Sequence, residues 1–144
     1  MGSRDTSGGL IAPVVLALGL SASGAWAECA PGSVELRGPS GTARFSVEIA
    51  DDANERSRGL MHRETMASSA GMLFLYDAPQ RAVFWMKNTL IPLDMVFMDG
   101  TGRVTRVHSN ARPHDETPID GGEGVEAVLE INGGLAARLG IAPG

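Results

Sequence analysis

The chain has 144 residues, 43% of them apolar, and a net charge of −5 from 17 acids against 12 lysines and arginines. That length fits one domain with a modest core. The acid excess and the scatter of the arginines exclude a phosphate-backbone binder and a polybasic membrane patch, so neither nucleic acid nor an anionic lipid surface is an expected partner.

The first element is a targeting segment. Arg4 and the free amine precede an uncharged run, Thr6 to Ala27, with the apolar centre LIAPVVLALGL at 10–20 and the small-residue signal Ala25-Trp26-Ala27. This is the three-part pattern of a secretory signal peptide. Cleavage after Ala27 leaves 117 residues from Glu28, a single domain over 28–144, periplasmic or secreted. The rival is an uncleaved anchor, since 22 uncharged residues are long enough to span a bilayer. Seven glycines and serines dilute the run and favour cleavage. Cys29 is the only cysteine, so an intrachain disulfide is excluded.

SVEL (33–36) and ARFSVEIA (43–50) read as strands, the second alternating Phe45, Val47 and Ile49 with polar residues, and GPSG (38–41) joins them as a hairpin. Asp52 and Glu55 form a capping-box pair for a helix over 53–58 that ends at Gly59 in the left-handed conformation. Leu60 and Met61 then fold back on the core. GMLFLY (71–76) and AVFWM (82–86) read as buried strands, and LDMVFM (93–98) with RVTRVHS (103–109) flank the hairpin turn DGTG (99–102). A loop of about 15 residues follows, NARPHDETPIDGGEG. VEAVLEIN (125–132) is the last strand, with Asn132 as cap of a short helix that stops at Gly140. About seven strands and two short helices imply an α+β class, mainly β: a curled antiparallel-rich sheet or partial barrel.

RSRGLMHR (56–63), GMLFLY (71–76), FWMKNTLIPLDMVFMD (84–99), NARP (110–113) and VLEINGG (128–134) occur in this order and spacing. Together they resemble the exported-protein family known as domain of unknown function 192, across nearly all of the mature chain. The resemblance implies a compact β-rich domain, exported or membrane-attached, and no established chemistry. In that family GLM is often followed by an aromatic residue, where this chain has His62. The family pattern also commonly continues past a final Gly-Asp into a short strand, so a terminal edge strand is expected to be missing after Gly144.

Function therefore has to come from the site. Lys87 is the only lysine beside eleven arginines, and it lies in FWMKNTLIPLDM (84–95). Pro92 breaks a ladder, so 83–87 and 94–98 read as strands joined by NTLIPL. Pairing across that loop lets Lys87 face Asp94, with Phe84 and Met86 on one face and Trp85 and Lys87 on the other. A bland reading makes Lys87 and Asp94 a partly buried ion pair that fixes register. The functional reading is a site that needs a compact ammonium rather than a guanidinium. Trp85, Lys87, Asn88, Thr89 and Asp94, with Arg63 as an anion contact, form a pocket for a small polar or anionic ligand. Arg58 and Arg63 otherwise pair with Glu55 and Glu64 on the surface.

The leading expectation is an exported small-ligand-binding or accessory protein that needs no cofactor. One alternative is a hydrolase or lyase with Lys87 as base or nucleophile and Asp94 as orienter or acid, although no familiar catalytic motif accompanies them. Another is a structural or protein-interaction module. A third is a copper-binding periplasmic protein, with Met61 and His62 as its weak candidates, since most methionines here lie in strands and read as core filler. The acidic loop holds Asp115, Glu116, Asp120 and Glu123 without the calcium-loop pattern, so it reads as solvated.

Overall fold

A computed structural model describes residues 32–144; the signal segment 1–27 and Cys29 lie outside the described residues. The strands are β1 (Ser33–Gly38), β2 (Gly41–Ala50), β3 (Ala70–Gln80), β4 (Val83–Phe84), β5 (Leu93–Met98), β6 (Val104–Ala111), β7 (Ile119–Asp120) and β8 (Val125–Asn132). Two short helices, α1 (Ala53–Arg58) and α2 (Leu135–Leu139), complete the set. Six strands form one curled sheet in the order β1-β2-β3-β8-β5-β6, and β4 pairs with β7 in a separate ribbon. The fold is mainly β, as the sequence implies. All pairs are antiparallel except β2–β3, which α1 and the following segment connect as a parallel crossover.

The sheet is covered on both faces, which is why β5 is buried at every position. On one face Ala50, Met72, Phe74, Leu93, Met95, Phe97 and Val128 meet a cover made of Leu60, Ala82, Met86 and Ile119, with Met66, Phe84 and Ile91 packed alongside. Phe84 stacks edge-on against Phe74 and Phe97, at 5.1 and 5.9 Å between ring centroids. On the other face Phe45, Val47, Val96, Met98, Leu129 and Ile131 pack on Leu135 and Ala136 of α2.

Local chemistry sets the element ends. The Asp52 side chain accepts from the Asn54 and Glu55 amides, both at 2.8 Å. Glu55 reaches back to the Asp51 amide at 3.2 Å, one residue beyond the usual capping box. Gly59 ends α1 with φ 47° and ψ −134°, a glycine-favoured geometry rather than the left-handed helical one expected. In the DGTG turn, Asp99 accepts from the Thr101 and Arg103 amides and from the Thr101 hydroxyl.

Three expectations are corrected. Segments 83–87 and 94–98 do not pair: β4 joins β7, while β5 lies between β6 and β8. The acidic loop is therefore shorter than it looks, because it contributes β7 and the end of β6. Asn132 does not cap α2; its amide donates to the Met66 and Ala67 carbonyls at 2.8 and 3.2 Å.

The cap of α2 comes from Asp94. Its fully buried carboxylate accepts from the amides of Gly134 at 2.8 Å, Ala136 at 2.7 Å and Asn110 at 2.7 Å. Gly133 donates to the Pro92 carbonyl at 2.9 Å, and a Cβ on it would lie 2.7 Å from Asn110 Oδ1. Only glycine permits that approach.

Glu130 is the opposite case. It points from β8 into the covered face, between Met72 and Met95 on the neighbouring strands. It is 4% exposed, and no hydrogen bond or ion pair among the described residues reaches its carboxyl, whose oxygens keep a sliver of solvent contact. Loss of hydration pushes it up to about 8 from an ordinary 4.5.

Two predictions follow from these acids. Asp94→Ala leaves three amides without acceptors and should cost on the order of 3 kcal/mol or more, read from urea unfolding; a loss below about 1 kcal/mol would contradict the capping role. For Glu130, folding retains a proton that the unfolded chain loses. The folding equilibrium constant of the wild type, relative to Glu130→Gln, should therefore fall about tenfold per pH unit from roughly pH 4.5 to 8 and then level off. A difference that does not vary with pH across that window would show that the carboxyl is solvated.

Candidate functional site

Three loops meet at one end of the covered face. The amide of His62 donates to the Asn88 carbonyl at 2.8 Å, that of His114 to the Thr89 carbonyl at 3.1 Å, and that of Met86 to the Asp115 carbonyl at 2.8 Å. The K-N-T turn is thus held between the turn after α1 and the loop after β6. His62, Asn88 and His114 sit at these joints with φ of 63°, 54° and 62°. Left-handed geometry is uncommon outside glycine, and asparagine and histidine tolerate it better than most. Clusters of such residues occur where a surface is shaped for use.

The structure separates the sequence-derived pocket. Lys87 and Asp94 do not pair. The Lys87 ammonium lies over the Trp85 ring at 4.9 Å and 3.9 Å from Glu116 Oε1. Its side chain is 45% exposed, so the ammonium is not desolvated. Trp85 is half exposed, and Phe84 and Met86 turn inward as the alternation required. Thr89 is buried, its hydroxyl donating to the Lys87 carbonyl at 3.2 Å. Asp94 is occupied with the α2 cap. Of the expected ligand groups, Trp85, Lys87 and Asn88 remain at the surface and Thr89 and Asp94 serve the fold.

Arg63 is also placed differently. It grips Glu48 in a two-point ion pair, at 2.5 and 3.0 Å, rather than pairing with Glu64. The Arg63 hydrogen bond holds the Glu48 carboxyl below its usual range. This pair walls a depression of about 400 Å³. Its other principal residues are Arg58, Met61, His62 and Met72, with Ile49, Ala50 and Glu55 also lining it. Arg58 has no ion pair among the described residues, while the Asn88 amide nitrogen lies 3.9 Å from the sulfur of Met61, one of the lining residues. The site sits between β2, β3 and the turn after α1 because the parallel crossover folds that turn back over the strand ends.

The sequence reading identified Met61, His62, Arg58 and Arg63 without joining them to Glu48 or Met72. Nothing in the local sequence reports contacts across a crossover. It also missed Arg56, which donates to the Leu75 carbonyl at 2.9 Å and stacks on Tyr76 at 5.3 Å. Among the described residues, no group of three or more His, Cys, Asp or Glu side chains is placed to hold a metal ion. The loop acids are engaged instead. Asp120 binds Arg81, whose guanidinium also lies 3.7 Å from Glu123, and Asp115 accepts from the Thr117 amide.

Among curated proteins no relative is found. Two solved structures are similar. A protein of unknown function from Novosphingobium aromaticivorans is 48% identical, with a TM-score of 0.76 over 78% of this chain and 80% of that one. A candidate transcription regulator from Sinorhizobium meliloti is 45% identical, with a TM-score of 0.75 over 78% of this chain and 88% of that one. The model of the DUF192 family, described as an uncharacterized ACR, matches residues 35–144. With the G-L-M, W-M-K-N-T, P-L-D and L-E-I-N-G-G segments assembled around one covered sheet, the chain belongs to the DUF192 family.

Proposed function

We propose that this protein is an exported small-ligand-binding module, and that its pocket is the 400 Å³ depression beside the G-L-M-H-R turn. The observation that carries this reading is Arg58. Among the described residues it forms no ion pair, and it stands at the edge of a depression whose apolar lining is Ile49, Ala50, Met61 and Met72. A small monocarboxylate with a short apolar tail satisfies both features. Arg63 is already neutralised by Glu48 and acts as a wall. His62 supplies a polar group at the rim. Export rests on the uncharged run and A-W-A signal at the N-terminus.

The hydrolase or lyase alternative lacks its acid, because Asp94 is spent on three backbone amides. A nucleic-acid role for this chain, the kind of role named for the Sinorhizobium relative, is opposed by the net charge of −5. A protein-interaction reading has one specific support. Val83, Trp85 and Leu90 are large apolar side chains left exposed around Lys87.

Hexanoate is a suitable probe, and thermal unfolding is the readout. At a hundredfold excess over Kd the gain is about 2.7 kcal/mol, which should raise the Tm of the wild type clearly. Arg58→Ala should weaken binding about 10- to 100-fold, the worth of a charge-assisted hydrogen bond, while Lys87→Ala stays close to wild type. The opposite pattern would move the ligand to the Trp85–Lys87 surface. No shift with either hexanoate or longer carboxylates would leave the protein-interaction reading.

A further inference from the structure

The pocket and the buried acid belong to one row of side chains. Glu48 on β2, Met72 on β3, Glu130 on β8 and Met95 on β5 are successive cross-strand partners, with His108 on β6 beyond them. Cross-strand partners share a face of the sheet. Met72 lines the pocket, so Glu130 stands directly behind the pocket lining. Two residues further along β8, Asn132 holds the Met66 and Ala67 carbonyls of the cover. One short stretch of β8 therefore carries a polar tie to the Met66 and Ala67 carbonyls and, two residues away on the same face, a largely buried acid.

We propose that Glu130 is a proton-linked latch on the pocket: the 60–67 cover lifts only as the Glu130 carboxyl becomes solvated, so the pocket is firm in acid and loosens as pH rises. Calling the depression a pocket rests on the ligand reading above; the lifting of the cover does not.

The charged and titratable surroundings leave Glu130 as the group that responds. On the sheet its two immediate partners are methionines. Glu48, beyond Met72, is held ionised by Arg63. His108 lies beyond Met95. Along β3, Tyr76 is pushed up first by its own burial, with Arg56 over its ring opposing and Glu130 adding to the rise. Leu60, Met66 and Met86 of the cover pack in the same apolar cluster as Met72 and Met95, the strand neighbours of Glu130. Among the described residues no cation is therefore placed to compensate an ionised Glu130, and the closed cover favours the neutral acid. The closed form keeps its proton up to about pH 8, where an open form releases it near 4.5. Between those values opening gains up to tenfold per pH unit, and above 8 it gains nothing more.

Amide hydrogen exchange on the full chain, without ligand, tests this at pH 5 to 8.5. The His62 and Ala70 amides, bonded to the Asn88 and Ala67 carbonyls, report the cover. Amides of β5, the strand between β6 and β8, report global unfolding. After correction for intrinsic rates, cover protection in the wild type should fall by up to tenfold per pH unit, level off above pH 8 and stay below that of β5 throughout. In Glu130→Gln cover protection should not vary with pH. Wild-type cover protection that does not change with pH, cover protection equal to that of β5, or the same fall in the Gln variant overturns the latch. Should the Gln variant fail to fold, the wild-type profile against β5 alone decides. Hexanoate binding with a pH-flat cover would remove the latch and keep the ligand site. A pH-driven cover without hexanoate binding would do the reverse.

Discussion

The Asp94 carboxylate holds the architecture together. It starts on β5, a strand buried on both faces, and takes amides from the end of β6 and the start of α2. A carboxylate this deep survives because every contact is a charge-assisted bond to backbone. One consequence reaches the sequence motifs. P-L-D and I-N-G-G are a single structural unit, since Asp94 and the Pro92 carbonyl receive the amides of Gly134 and Gly133. The K-N-T loop is thereby fixed at its downstream end, and the β4–β7 ribbon fixes it upstream. The surface that Lys87 and Asn88 present is a product of that clamp.

Much of the fold was legible because its signals are local. Alternation in ARFSVEIA marked β2, Asp52 with Glu55 marked α1, and D-G-T-G marked the β5–β6 hairpin, each through contacts within a few residues. What failed was pairing across distance. Six residues between 87 and 94 suggested a hairpin, yet 83–84 finds 119–120 and β5 finds β8. The Lys87–Asp94 pair fell with that hairpin. Asp94 could not have been assigned from sequence, because its partners are backbone amides and any residue supplies one. Arg63 with Glu48 was equally hidden, since the parallel β2–β3 crossover brings them together. Glu130 drew no separate reading from the sequence, which marks VEAVLEIN only as a strand. Its burial comes from a sheet that is covered on both faces.

Those facts also weaken the argument from the lone lysine. An exposed ammonium over Trp85, 3.9 Å from Glu116, is a place that arginine fills as readily. The scarcity of lysine therefore says little about chemistry here. The informative cation is Arg58, which composition does not single out at all.

The two buried acids divide the molecule by stiffness. On the α2 side, Asp94 adds three bonds to an apolar core, and lifting α2 would strand a charge. On the cover side, the 60–67 segment is held by apolar packing, by Asn132 and by a joint built on left-handed His62 and Asn88. Glu130 adds no bond there and gains hydration whenever the cover parts. Segments that open for function come from the less stable part of a fold. The depression with Arg58 lies at the edge of that part, where movement of a few side chains changes its shape without disturbing the capped half. A fold that satisfies one core acid fully and gives the other no hydrogen bond among the described residues has placed its weak point beside the depression that holds Arg58.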